Sequence, residues 1–105
     1  MGRMRKLSPE QRRAAKVALY DDLDAGHLSI PQAVKRMRLI SGLTQKAFAE
    51  RVAGLSIATL AQIERGEANP TVAMLDDIGR AFGLEVGFRR RSVGELPPPR
   101  RRDGG

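Results

Sequence analysis

The sequence has no cysteine, no tryptophan, a single histidine and a single tyrosine. Without cysteine it can form neither a disulfide framework nor a thiolate metal site, and an intracellular location fits that composition. The histidine, His27, has no cluster of metal ligands beside it, so we predict no metal site. A glycine-rich phosphate loop and paired carboxylates in a pocket-like pattern are missing as well. We therefore predict no enzyme activity, no catalytic residues and no cofactor.

Long apolar stretches are also missing. Nowhere does the sequence hold the run of about eighteen apolar residues that a membrane span requires. The first thirteen residues, MGRMRKLSPEQRR, lack the apolar core of a secretion signal. We therefore expect a cytoplasmic protein without a membrane partner.

Charge of one sign is in excess: nineteen Lys and Arg face twelve Asp and Glu, a net charge of +7. Residues 89–105 hold six basic and two acidic residues, so more than half of the excess lies in this short tail. Positive charge favours phosphate backbones. It would also suit an acidic protein or an anionic membrane, so charge alone leaves the partner open.

Two helices are predicted ahead of the central motif. The first begins after Ser8, with proline in its first turn and glutamine at the capping-box position, and runs to about Ala25. The second covers about 30–41 after the same kind of start at Ser29 and is ended by Gly42. We interpret the first helix as an extra helix packed on the domain. The alternative is a docking helix for a partner protein.

The stretch 43–66, LTQKAFAERVAGLSIATLAQIERG, reads as two short helices joined by a tight turn. Thr44 starts the first helix, and Gly54 can take the left-handed conformation that ends it. Ser56 can cap the second helix, and Gly66 stands just past its end. Two helices of about ten residues with such a turn fit a helix-turn-helix, whose second helix enters the major groove of DNA.

At these residues the chain resembles the repressor/Cro-type helix-turn-helix of phage repressors and of the bacterial XRE family. The resemblance covers roughly residues 30–88. Its marks, in order along the chain, are Leu43-Thr44-Gln45, Phe48-Ala49, Gly54 with Ser56, Thr59-Leu60, Ile63-Glu64-Arg65-Gly66, Asn69-Pro70-Thr71, Leu75, Ile78 and Ala81-Phe82-Gly83.

The resemblance implies a set of DNA-contacting residues. Gln62 matches a base-reading position and can bond bidentately to adenine, whereas Thr59 and Gln45 match phosphate-contacting positions. Three further groups complete the set. They are the outward residues at the start of the recognition helix, the basic residue at its end, and one arginine of the helix predicted over about 30–41. The predicted DNA-binding residues are Arg38, Gln45, Ser56, Ile57, Ala58, Thr59, Gln62 and Arg65.

An ion pair is also implied by the resemblance. The family often has an arginine at the position of Arg38 that pairs with a glutamate matching Glu64. We expect this pair to tie the helix of Arg38 to the recognition helix and to orient the arginine toward a phosphate.

The chain departs from the family pattern in two ways. Ile57 and Ala58 occupy positions where the family often has polar base readers. They can meet thymine methyl groups, and we expect shape readout and phosphate contacts to carry more of the binding. Around Ala53-Gly54 the turn is one residue longer than the shortest family turns, which would rotate the recognition helix.

A last helix and a strand are predicted after the motif. Thr71 is the favoured cap of a helix over about 72–82, although Asn69 with Pro70 in the first turn would also serve. The residues that this helix is expected to bury are Val72, Leu75, Ile78 and Phe82.

The apolar residues then switch to a period of two, at Leu84, Val86 and Phe88, which predicts a strand. A lone strand needs a partner. A second copy of the chain would supply one in an antiparallel ribbon across a two-fold axis, so these residues are the predicted dimerisation residues. The alternative is a strand-like tail packed on its own domain.

The predicted fold is all-α: a repressor-like helix-turn-helix bundle with an extra N-terminal helix and a short C-terminal β-strand. The predicted divisions are an N-terminal basic segment and helix (1–28), the Cro/cI-type DNA-binding domain (29–83), the strand (84–91) and a disordered basic tail (92–105). Double-stranded DNA and a second copy are the expected partners.

Two functions of different kinds follow from the resemblance. One is a dimeric transcriptional regulator that binds an inverted repeat and represses its own promoter. The other is a HipB-like antitoxin of a toxin–antitoxin module, which would bind and neutralise a toxin protein and regulate its own synthesis. The helix-turn-helix followed by a short dimerisation strand is the architecture that suggests the second function.

Overall fold

The computed structural model describes residues 6–90, and these residues form five α-helices and one π-helical turn. The predicted tail, 92–105, lies outside the described residues. The helices are α1 (Pro9–Ala25), α2 (Ile30–Ser41), α3 (Gln45–Phe48), α4 (Ile57–Glu64) and α5 (Val72–Arg80), and the π-helical turn is Ala49–Ala53. The all-helical expectation is confirmed for the described part of the chain.

The first two helices begin with the same local chemistry. The Gln11 N–H donates to the Ser8 hydroxyl at 3.1 Å, and the Gln11 side chain accepts from the Ser8 N–H at 2.9 Å. Ser29 and Gln32 repeat this reciprocal pair, at 3.3 and 2.9 Å. Each box satisfies two backbone groups that a helix start leaves without intrahelical partners. These starts were predictable because each is complete within four residues.

All five helices and the π-helical turn contribute apolar side chains to one hydrophobic core. Phe48 and Leu60 are fully buried there, and each such side chain stabilises the fold by about 1.5–3 kcal/mol. The buried apolar residues are Leu19, Ala33, Val34, Met37, Ile40, Phe48, Ala49, Ala53, Leu60, Ile63, Ile78 and Phe82.

Helix α1 belongs to this core. Leu19 is fully buried, and the Tyr20 hydroxyl donates to the Phe82 carbonyl at 2.8 Å, a bond across 62 positions of the chain. The Lys16 ammonium lies 5.7 Å from the centre of the Phe82 ring, within cation–π range. The N-terminal helix is therefore packed on the domain, as the favoured interpretation had it.

Helix α5 differs from the prediction in the exposure of its first residue and in the position where it ends. Val72 was expected to be buried, but 61% of it is exposed, because side chains of the first helical position lean back toward the helix start and away from the core. The helix stops at Arg80, and residues 81–83 form a turn in which Phe82 is still buried. Gly83 has φ of 68°, the left-handed region that favours glycine.

Residues 84–90 have no regular secondary structure in the single chain, so the predicted strand stays a prediction. The segment nonetheless approaches α5 closely. A side chain at Gly79 would place its Cβ 2.9 Å from the Leu84 carbonyl oxygen, closer than real Cβ atoms come. Glycine at this position is therefore what allows the segment to lie against the helix.

Among the described residues, no helix combines the length and the apolar character that crossing a membrane would need.

Candidate nucleic-acid interface

Helices α3 and α4 are joined by the π-helical turn and a short loop. Thr44 caps α3 by accepting from the Ala47 N–H at 3.2 Å, and the helix continues without a break into the π-helical turn Ala49–Ala53. Gly54 ends this turn with φ of 67°, and Ser56 caps α4. A Cβ on Gly54 would meet nothing within 4 Å, so the backbone conformation alone requires the glycine.

The π-helical turn accounts for the extra residue noted near Ala53-Gly54. In such a turn each N–H bonds to the carbonyl five positions back, so the turn holds one residue more than an α-helical turn. The Gly54 N–H bonds to the Ala49 carbonyl in this way. The additional residue is thus taken up inside the end of the first motif helix.

The carboxylate of Glu64 holds α4 to the rest of the bundle. Arg38 on α2 donates to both of its oxygens, from Nε to Oε2 at 2.7 Å and from Nη2 to Oε1 at 3.0 Å. Gln45 at the start of α3 adds a third bond, from Nε2 to Oε1 at 3.1 Å. We call these three residues the Glu64 network. It connects three helices through one carboxylate.

The Glu64 network is sheltered from water, since only 9% of the Arg38 side chain and 5% of the Glu64 side chain are exposed. Arg38 also donates from Nη1 to the Leu43 carbonyl at 3.3 Å. Bidentate, charge-assisted bonds of this kind are strong and geometrically specific. The structure thus brings Arg38 and Glu64 together, and the geometry favours a structural role for Arg38 over a phosphate contact.

The exposed face of α4 is uncharged. Ala58 and Gln62 are exposed one helical turn apart, and beside them run Ile57, which is 48% exposed, and Ala61, which is partly exposed. We call these four residues the reading face. On the opposite side of the helix Leu60 and Ile63 are buried in the core. Ala61 is an addition to the predicted set of residues, and its spacing of four from Ile57 indicates this position.

Two hydroxyl groups border the reading face. The Ser56 Oγ accepts from the Thr59 N–H at 3.1 Å, and its hydroxyl donates to Thr59 Oγ1 at 2.9 Å. Ser56 is therefore occupied in capping the helix, whereas the Thr59 hydroxyl keeps its own hydrogen to donate.

A comparison with protein families identifies this arrangement. Residues 34–88, just over half of the chain, match the family model described as helix-turn-helix. The chain belongs to the helix-turn-helix family.

A curated relative agrees with the family. The chain is 32% identical over 66 residues to a protein of Bacillus subtilis (strain 168) named as an uncharacterized HTH-type transcriptional regulator, YazB. The matched region covers 63% of this chain and 84% of the relative. No solved structure matches the chain at a significant level.

Basic side chains flank the helix-turn-helix, and some of them are already paired. Arg65 at the end of α4 donates from Nε to Glu67 Oε1 at 3.0 Å, with both side chains more than half exposed. Lys46 and Arg51, in the first motif helix, are also exposed. Neither residue belongs to the predicted DNA-binding set, although exposed basic residues beside the recognition helix suit phosphate contacts.

Beyond the helix-turn-helix, the segment 84–90 leaves two of its three predicted dimerisation residues open to solvent. Leu84 is half-buried against the core, whereas 41% of Val86 is exposed and Phe88 is fully exposed. The Leu84 N–H donates to the Gly79 carbonyl at 2.9 Å, and the Val86 N–H donates to Asp76 Oδ1 at 3.0 Å. The segment is thus attached to α5 by alternate backbone groups.

The carboxyl group of Asp22 has a lowered pKa. The hydrogen bond from Arg36 Nη1 to Asp22 Oδ2, 2.9 Å long, is the largest cause that lowers the pKa of the Asp22 carboxyl below its usual 3.8. His27 lies 3.7 Å from the other carboxylate oxygen and acts in the same direction, whereas desolvation opposes it. Within residues 6–90 no group of three acidic or histidine side chains is placed to hold a metal ion.

Proposed function

We propose that this protein is a DNA-binding transcriptional regulator that binds an inverted repeat as a homodimer and represses the promoter of its own gene. The observation that carries the proposal is the position of α4. One of its sides is fixed by the core and by the Glu64 network, and the other, the reading face, is open to solvent. A helix held in this way can enter the major groove with its N-terminal residues against the base edges.

The fixed position of α4 also favours tight binding. Glu64 lies at the last position of the helix, and its three hydrogen bonds come from α2 and α3. A recognition helix whose orientation is set before binding loses little further freedom when it meets DNA. The Thr59 hydroxyl and the exposed Lys46 and Arg51 are the groups that we assign to phosphates.

The dimer part of the proposal rests on the segment 84–90. In an extended chain successive N–H groups point to opposite edges, and those of Leu84 and Val86 point to α5. In an extended segment the backbone groups of Glu85 and Gly87 would then face the opposite edge, and we assign that edge to the partner. An antiparallel copy of the same segment across a two-fold axis can pair with this edge and cover Val86 and Phe88.

The DNA experiment is a selection of binding sites from random duplexes with the full-length protein, followed by footprinting. We expect an inverted repeat whose half-sites are about one helical turn, or 34 Å, apart. The logarithm of the binding constant should fall against the logarithm of salt with a slope of about −5 to −7, if the dimer neutralises about six to eight phosphates. Recovery of unenriched sequence would overturn the proposal.

A variant pair connects the selected site to α4. Gln62→Ala removes the only amide of the reading face and should weaken binding to the selected site by about 1–3 kcal/mol. Arg12→Ala removes one exposed positive charge from α1 and should leave the preference among sequences unchanged. Equal effects of the two variants would mean that charge, and not the recognition helix, determines the binding.

Autorepression is tested by placing a reporter gene under the promoter of the protein's own gene. Supplying the protein in trans should lower reporter expression, and the Gln62→Ala variant should lower it less. An unchanged or raised reporter signal would contradict the repressor assignment while leaving DNA binding intact.

The antitoxin alternative differs in requiring a second protein. Nothing among the described residues favours it over the stand-alone regulator. Purification of the tagged protein from its native cell separates the two functions, because a stoichiometric protein partner together with the gene's own promoter would indicate the antitoxin. Promoter DNA without a protein partner would indicate the stand-alone repressor.

A further inference from the structure

The reading face has an unusual chemical composition for a surface that recognises DNA. Of its four side chains three are apolar, Ile57, Ala58 and Ala61, and one is an amide, Gln62. The commonest specific contact in the major groove is a bidentate bond from Arg or Lys to guanine. The reading face has no basic side chain that could make this contact.

The neighbouring hydroxyls do not add much base-reading capacity. Ser56 both accepts from the Thr59 N–H and donates to the Thr59 hydroxyl, so its hydrogen-bonding groups are used within the protein. Thr59 lies at the border of the exposed face and is partly buried. Direct hydrogen-bond readout by α4 is thus left mainly to Gln62.

We infer that this protein reads its operator chiefly through the C5-methyl groups of thymine, which pack against Ile57 and Ala58, with Gln62 bonded to an adjacent adenine. The inference rests on the proposed DNA-binding function and names the class of sequence that it selects. In the major groove the thymine methyl is the apolar group that distinguishes A·T from G·C pairs. An exposed isoleucine at the first position of a recognition helix is a matching apolar surface.

The expected size of the effect follows from the burial of one methyl group. Removing it should weaken binding about fourfold at each half-site, and about fifteenfold when one methyl is removed from each half-site of a dimer. Half-sites in the selected operator should be rich in A·T pairs at the positions facing α4. Guanine at those positions should carry no direct contact.

The test replaces single thymines of the selected operator by deoxyuridine, which removes the methyl group and leaves base pairing unchanged. Binding of labelled duplexes to the full-length protein is measured by fluorescence anisotropy at one fixed salt concentration. We expect one or two thymines per half-site at which the replacement weakens binding about fourfold. At the same positions 5-methylcytosine should bind more tightly than cytosine.

The variant Ile57→Ala assigns the effect to the protein. It should bind the thymine operator more weakly than the natural protein and should lose most of the sensitivity to deoxyuridine at one position per half-site. Val72→Ala is the matched control, since Val72 is likewise exposed at the first position of a helix, but of α5. The control should keep the full sensitivity.

Three results would overturn the inference. A selected operator that binds equally well after every thymine is replaced would show that methyl groups are not read, while the DNA-binding function stands. Failure to select any sequence would remove the inference and the proposed function together. Sensitivity to deoxyuridine that is the same in Ile57→Ala and in the natural protein would also count against it, because the methyl groups would then be read elsewhere.

Discussion

The helix-turn-helix and the segment 84–90 differ in how far a single chain completes them. In the first, the buried Glu64 carboxylate has three hydrogen bonds from Arg38 and Gln45, and the core covers the inner side of α4. In the second, Phe88 is fully exposed, and the bonds to α5 come from the N–H groups of Leu84 and Val86. The recognition unit is thus complete within one chain, whereas the C-terminal segment leaves apolar side chains exposed, and under our proposal a second copy covers them.

The largest effect is expected from breaking the Glu64 network of the helix-turn-helix. Glu64→Ala leaves the buried Arg38 guanidinium without its carboxylate, and the free energy of unfolding should fall by about 3–5 kcal/mol. Urea denaturation measures it. Glu64→Gln keeps the shape but not the charge and should give a smaller loss.

The matched control is Glu67→Ala, which breaks the exposed pair with Arg65 and should change stability by less than about 0.5 kcal/mol. If Glu64→Ala proved no more damaging than Glu67→Ala, the Glu64 network would not be what holds the recognition helix.

The next largest effect is expected in the segment 84–90. Phe88→Ser should raise the dimer dissociation constant at least about tenfold, because burying a phenylalanine side chain is worth about 1.5–3 kcal/mol. The unfolding midpoint of the monomer should not change, since Phe88 contributes nothing to the single chain's core. Sedimentation equilibrium measures the dissociation constant of the dimer. The control is Val17→Ser, which changes an exposed apolar residue of α1. A destabilised monomer with unaltered association would favour a tail packed on its own domain.

A smaller effect concerns the backbone of the two regions. Gly54→Ala should cost about 1–2 kcal/mol, because an L-residue is forced into the left-handed conformation. Gly87→Ala should be close to neutral, since Gly87 has no positive φ. At both positions a new Cβ meets nothing within 4 Å, so thermal unfolding of the two variants isolates the conformational cost. Equal stability of the two would show that the turn before α4 can relax.

The smallest effect contrasts the buried Arg38–Glu64 pair with the partly exposed Arg36–Asp22 pair. The folded state lowers the pKa of Asp22, so its contribution to stability is present above the usual value of 3.8 and is lost as the pH falls through the lowered pKa. Asp22→Asn should therefore be slightly less stable than the natural protein at neutral pH, and the difference should vanish in acid. Denaturation at a series of pH values measures it, and a difference that grew on acidification would contradict the assignment.

Features set by a few adjacent residues could be predicted from the sequence. The caps at Ser8, Ser29 and Thr71 and the helix ends at Gly26 and Gly42 depend on the chemistry of three or four neighbouring positions. The family resemblance added the juxtaposition of Arg38 and Glu64, which no local rule would give across 26 positions.

Features that depend on tertiary contacts could not be predicted in this way. Gln45 matches a phosphate-contacting position, and the hydrogen bond from its side chain to Glu64 arises only because the folded chain places that carboxylate at the start of α3. The π-helical turn has no local sequence signal. Val72 is different, because its exposure follows from its place as the first residue of α5, which the cap at Thr71 indicates.

The bond between Tyr20 and the Phe82 carbonyl has a consequence for the order in which the protein can fold as it is made. Helix α1 precedes α5 in the chain, and the carbonyl that Tyr20 bonds, in the turn after α5, lies 62 residues behind it. At about 5–20 residues per second, translation delivers that carbonyl about 3–12 s later. In the meantime α2, which follows α1 directly and packs against it, is the neighbour available to α1. The bond from Tyr20 is therefore among the last contacts of α1 that can form during synthesis.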